Sequence, residues 1–116
     1  MKTLPPQHLG RPVRKARAAL IRGEAISRLS ELFDALGDPT RLKMILALSA
    51  GELCVADLAQ AIDMSESAVS HQLRFLKSLR LIRFRRSGKQ VFYALDDDHV
   101  GALVAIGMDH IGELGR

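Results

Sequence analysis

The sequence predicts a mostly α-helical domain that carries one β-hairpin. Three observations predict it. Apolar residues recur at three- and four-residue steps through most of the chain. That period changes to two between Leu81 and Leu95. The length of 116 residues, 47% of them apolar, fits a single domain with a core of its own.

Residues 1 to 22 hold six cations (Lys2, Arg11, Arg14, Lys15, Arg17, Arg22) and no acid. Up to Pro12 this arm is rich in Pro and polar residues, so residues 1–16 are expected to be disordered and residues 17–116 to form the folded domain. The first helix should run from about Arg17 to Leu36, with Ile26, Leu29, Phe33 and Leu36 on one face and Gly37 as its stop. Asp38-Pro39 starts the next helix, because Asp caps well and Pro suits a first turn. Leu42, Ile45, Leu46 and Leu48 give its buried stripe, and Gly51 ends it. Glu52-Leu53-Cys54 reads as a strand stub. Val55 to Ile62 is a short helix with Leu58 and Ile62 inward, and Asp63-Met64-Ser65 is a tight turn. Ser65 caps a second helix, Glu66 to about Arg80, with Val69, Leu73, Leu76 and Leu79 inward. Alternation at Ile82 and Phe84, and again at Val91 and Tyr93, places a hairpin around Ser87-Gly88. The run Asp96-Asp97-Asp98 opens a last helix, where acids suit the positive end of the dipole. Its residues Val100, Leu103, Val104, Ile106, Ile111 and Leu114 cover much of its surface, which fits packing against another subunit.

Helix, tight turn, second helix and basic hairpin is the order of a winged helix-turn-helix, and a homodimer through its first and last helices is expected. From Ser67 to Leu95 there are seven cations (Arg74, Lys77, Arg80, Arg83, Arg85, Arg86, Lys89) and no acid, a block that attracts a polyanion. A merely solvated face would mix signs. Ser65, Ser67, Ser70, His71 and Arg74 are the candidate readers of double-stranded DNA, since short hydroxyls let a helix sit deep in the major groove and Arg favours guanine or phosphate. Arg83, Arg85, Arg86 and Lys89 would carry the hairpin along the backbone or into a minor groove.

Composition excludes other classes. No apolar run approaches the roughly 18 residues that span a membrane, and Met1 to Gly10 lacks the apolar stretch of a secretory signal. The single cysteine, Cys54, rules out an internal disulfide framework and fits a reducing cytoplasm.

From Asp96 to Gly115 the sign reverses, with five acids, two histidines and no Lys or Arg. Asp97, His99, His110 and Glu113 are carboxylate and imidazole donors that suit zinc, with cobalt or nickel also accepted. At ~100° per residue, His99 and His110 return to within ~20° of one face, and Glu113 shares it. Along the axis the histidines are ~16 Å apart, too far for one ion with ~2 Å bonds. Two antiparallel copies of the helix solve this, because Asp97 and His99 of one would meet His110 and Glu113 of the other, giving two identical sites. Asp97 must then lie in the non-helical cap. Singly, each residue has an ordinary role: an N-cap, a dipole partner, a solvated carboxylate. Their joint spacing sets a shared metal site beside these ordinary roles, and geometry alone leaves both readings open.

The stretch "ELCVADLAQAIDMSESAVSHQLRFLKSLRLIRFRRSGKQVFYALDDDHV" and the later "DHIGE" resemble the ArsR/SmtB family of metal-sensing repressors. The likeness spans roughly Leu29 to Glu113. "SESAVSHQLRFL" resembles the family's recognition helix and "ELCVADLA" the helix before it. The resemblance implies an interhelical site of the form D-x-H, ten residues, H-x-x-E, filled here by Asp97, His99, His110 and Glu113. It also implies that the ring nitrogen of His110 facing away from the metal bonds the backbone carbonyl of Arg80, linking the ion to the reading helix. The family's other site, a thiolate set, is matched only by Cys54 and Asp57, with His8 as a further donor. A poor thiolate set argues against arsenite, lead or cadmium as the main signal.

The expected function is that of a metal-responsive repressor. The apo dimer binds an inverted-repeat operator, and zinc lowers DNA affinity and derepresses metal-resistance genes. The alternative is a winged-helix regulator that senses cobalt, nickel, cadmium, copper, or a redox signal through Cys54. A zinc hydrolase is disfavoured, since four protein ligands close the site and no H-E-x-x-H occurs.

Overall fold

The computed structural model describes residues 10–20 and 22–112. The chain divides into two compact units, residues 1–33 and 34–116. The first unit holds α1 (Arg11–Ala19) and most of α2 (Glu24–Leu36). Where the sequence reading has one helix from about Arg17 to Leu36, the structure has two. Pro12 suits the first turn of α1. Gly23, at φ 63°, takes a left-handed conformation that breaks the run before α2. The arm expected at residues 1–16 is described only from Gly10, and from Arg11 it is helical. Ile26, Leu29 and Phe33 are exposed.

The second unit contains α3 (Pro39–Ser49), β1 (Leu53–Cys54), α4 (Val55–Ile62), α5 (Glu66–Ser78), β2 (Ile82–Ser87), β3 (Gln90–Leu95) and α6 (Asp98–His110). Its helix starts follow from their caps. The Asp38 carboxylate accepts the Arg41 amide at 3.0 Å, and the Ser65 hydroxyl accepts the Ala68 amide at 3.1 Å. The α4–α5 turn closes through Asp63, left-handed at φ 57°, and the Met64 amide donates to the Ala59 carbonyl at 2.9 Å.

The core joins Met44, Ile45 and Leu48 of α3, Leu58 and Ala59 of α4, Val69, Leu73 and Leu76 of α5, and Ile82 of β2. Leu46, expected in the stripe, is exposed, and Met44 takes its place. The buried arc of α3 centres on Leu48, whereas Leu46 lines an apolar cleft with Val104 and Met108 of α6.

The three strands run antiparallel in the order β1-β3-β2. Ser87 pairs with Gln90, so the turn is Gly88-Lys89, one residue later than expected, with Gly88 at φ 62°. The Asp96 amide donates to the Leu81 carbonyl at 3.0 Å and closes the base of the hairpin. Val100 is the buried residue of α6. No described helix is long and apolar enough to cross a membrane.

Candidate functional site

α5 buries Val69, Leu73 and Leu76. That leaves Ser67, His71 and Arg74 exposed at steps of four and three, one stripe along the helix, with Ser70 half-buried beside it. Ser78 continues the stripe, its hydroxyl donating to the Phe75 carbonyl. Ser65 serves as the N-cap of this helix. The helix therefore offers water a row of hydroxyls, an imidazole and a guanidinium, and no acid after Glu66.

The hairpin sorts its cations by pleat, because alternate side chains take opposite faces. Ile82 is buried, and Phe84 carries the Lys77 ammonium 4.0 Å above its ring, so this face turns toward α5. Phe84 also meets the Tyr93 ring, with centroids 6.2 Å apart. Arg83 and Arg85 belong to the other face. There the Arg85 guanidinium lies 4.9 Å from the Phe92 ring centre, and its Nε donates to both Glu52 carboxylate oxygens at 3.0 Å. The Arg85 hydrogen bond is the main reason the Glu52 carboxyl is held below its ordinary range, and the same bond raises Arg85. Arg86 and Lys89 are exposed near the turn.

Asp97 is the N-cap of α6, in extended backbone at φ −151° and ψ −174°. Its carboxylate accepts the His99 amide at 2.8 Å and lies 3.2 Å from His99 Nδ1. That amide is the leading cause of a lowered Asp97 carboxyl. The two donors are brought together and both face water. His110 is the last residue of α6, at its far end, and Glu113 lies outside the described residues. Among the described residues no three His, Cys, Asp or Glu side chains gather within one chain. His99, Leu103, Ile106 and His110 recur at steps of four, three and four, a single face. Leu103 and Ile106 are exposed, Ile106 by 67%, so an unburied apolar strip runs between the two histidines. The donor set, imidazole with carboxylate, fits a borderline divalent ion; Asp97 and His99 stand at one end of this strip and His110 at the other.

Cys54 is the half-buried N-cap of α4 and Asp57 lies in the first turn of the same helix, while His8 lies outside the described residues. Arg80 follows α5 at φ 59°, its amide donating to the Lys77 carbonyl at 2.9 Å.

Two residues escaped the sequence reading. Arg41 stacks 4.7 Å above the ring of Phe75, which borders the outward stripe of α5. Its Nε donates to the carbonyl of buried Ala35 at 3.0 Å. Glu52 is the other. Arg41 meets Phe75, and Glu52 meets Arg85, across long sequence gaps that no local pattern announces.

The chain from Asp38 to Arg83 matches the family of bacterial regulatory proteins, arsR family. It is 46% identical over 101 residues to a protein described as a transcriptional repressor SmtB homolog from Synechocystis sp., covering 87% of this chain and 76% of that protein. It is 48% identical over 77 residues to a cadmium resistance transcriptional regulatory protein CadC homolog from Staphylococcus aureus, covering 66% and 64%. Its fold is similar to the solution structure of a homodimeric winged helix-turn-helix DNA-binding domain from Mycobacterium bovis, a possible ArsR-family regulator. The TM-score there is 0.71 at 25% identity, covering 84% of this chain and 94% of that one.

Proposed function

Since this chain belongs to the arsR family of bacterial regulatory proteins, we propose that it is a zinc-responsive transcriptional repressor that acts as a homodimer. The observation that carries this reading is the face of α6. Asp97 and His99 stand together at its start, His110 stands at its end, and exposed Leu103 and Ile106 lie between.

A second copy laid antiparallel covers that apolar strip. It brings His110 and Glu113 of the partner subunit to Asp97 and His99. Two sites result, related by the two-fold axis. Bound there, zinc would cross-link the ends of the two helices and favour one dimer geometry. The residues do the rest. The ring nitrogen of His110 facing away from the ion would bond the Arg80 carbonyl, as the family resemblance implies, and link the site to the end of the reading helix. Ser67, Ser70, His71 and Arg74 enter successive major grooves of an inverted repeat, with Ser65 fixing the start of the helix. Arg86 and Lys89 hold the backbone from the wing. DNA then weakens zinc binding by the factor by which zinc weakens DNA binding, typically 5- to 150-fold, or about 1–3 kcal/mol.

The test is one titration. Zinc is added to the protein on a labelled duplex of the DNA upstream of its own coding sequence, and anisotropy and bound metal are followed together. Release of DNA in step with two ions per dimer is expected. Release with no ion bound, or saturation with zinc and no release, overturns the reading. Cobalt and nickel run in parallel rank the ions.

A further inference from the structure

Resting on the DNA-binding reading, we propose that Glu52 and Arg85 form a strap that positions the wing, and that Arg85 is a positioning residue and makes no phosphate contact. The register makes the case. Arg85 pairs with Phe92 on β3, and Phe92 pairs with Cys54 on β1. The three residues form a row across the whole sheet, on one face. Arg85 starts from the edge strand β2, lies over the Phe92 ring, and reaches Glu52 just ahead of β1. Both oxygens of Glu52 are engaged by the Arg85 Nε, and the NH2 group reaches one of them as well. A carboxylate engaged in this forked way fixes the Nε edge of the guanidinium and offsets its charge, which leaves Arg85 less to offer a phosphate.

The strap lies on the face of the sheet opposite the one that turns toward α5. Phe84, one residue away, is the side that Lys77 of α5 covers. Arg85 is thus on the back of the wing, while Arg86 and Lys89 lie at its free end. Glu52 sits between Gly51, which follows α3, and β1, which leads into the helix-turn-helix. A single ion pair therefore ties the edge strand of the wing to the start of the reading unit. A lone β-hairpin is marginal in water, and a tie across three strands limits how far this one swings.

The discriminating probe is lysine. Lys keeps the charge of Arg and loses its fork. A phosphate contact keeps its charge, and so its salt slope, in Arg85→Lys but loses it in R85A, whereas a strap leaves the slope unchanged in both. Binding to the labelled upstream duplex is measured against salt for wild type, R85A, R85K, E52Q, the double variant R85A/E52Q, and R86A. R86A should lose affinity and flatten the salt slope by about one unit, as a lost phosphate contact does. R85A, R85K and E52Q should each weaken binding by roughly two- to fivefold with the slope unchanged, and the double variant should be no worse than either single one. Amide hydrogen exchange gives a readout without DNA: the β2–β3 amides should exchange faster in R85K and E52Q than in wild type. A flatter slope in R85A, tighter binding in E52Q, or unchanged exchange in both variants overturns the strap. Failure of the wild-type protein to bind the duplex sinks the DNA reading instead, and the exchange result still decides the strap.

Discussion

Replacing Arg41 with methionine should destabilise the domain far more than an ordinary surface change. Arg41 is half-buried, and its guanidinium does two things at once. It donates to the carbonyl of Ala35, a residue with no exposure, at 3.0 Å. It also covers the Phe75 ring at 4.7 Å. A hydrogen bond from a charged donor contributes about 1.5–3 kcal/mol, and a partly exposed cation–π contact about 0.5–1 kcal/mol. Methionine retains the apolar stem and neither interaction, so the loss should be about 2–4 kcal/mol. Urea unfolding at one fixed protein concentration reads it as a lower midpoint with an unchanged slope. Phe75→Leu should cost less. The double variant should then show a coupling of about 0.5–1 kcal/mol between the two positions. An Arg41→Met protein within about 0.5 kcal/mol of wild type, the range of neutral surface changes, would show that neither contact stabilises the domain.

Ser65→Ala removes the cap of the reading helix and should lower stability by about 1 kcal/mol, while Ser65→Gly should lose only a few tenths. Thermal melting separates them by a few degrees. Ile106→Glu places a charge in the exposed strip of α6 and should shift sedimentation toward a monomer while leaving far-ultraviolet circular dichroism unchanged; an intact dimer would relocate the interface. Asp97 titrates below its usual value because, above all, the His99 amide bonds its ionised form. A depressed carboxyl stabilises the fold above its unfolded value and loses that contribution as pH falls through its folded value. The stability gap between wild type and metal-free Asp97→Ala should therefore be full near neutrality and close on acidification below about pH 4. A gap that widens in acid contradicts the assignment.

Much of the fold was legible because its signals are local. Asp38 and Ser65 announce their helices by cap chemistry. Val69, Leu73 and Leu76 lie inward because their spacing follows the helix period. The change from period three-and-a-half to two located the hairpin to within one residue at Gly88. The break near Gly23 was missed because the apolar pattern on either side does not register a single left-handed glycine. Met44 displaced Leu46 because α4, α5 and the sheet, not periodicity alone, decide which arc of α3 is covered. The extended backbone of Asp97 follows from its role as the N-cap of α6, and it is also what a shared metal site would need. The strap at Arg85 was not legible. Sequence shows a basic run from Arg83 to Arg86, and only strand register reveals that Arg85 turns back to Glu52, thirty-three positions earlier.

In the proposed dimer each ion is held by donors from two chains, and mixing two crippled variants reveals whether it is. One variant carries D97A and H99A, the other H110A and E113A. Neither homodimer can assemble a complete site. A mixed dimer assembles one, from Asp97 and His99 of the second chain and His110 and Glu113 of the first. After random exchange of subunits, the mixture should bind roughly one quarter of the zinc that wild type binds, with wild-type affinity, while each variant alone binds none tightly. If the mixture binds no more zinc than its parents, the two chains do not share a site.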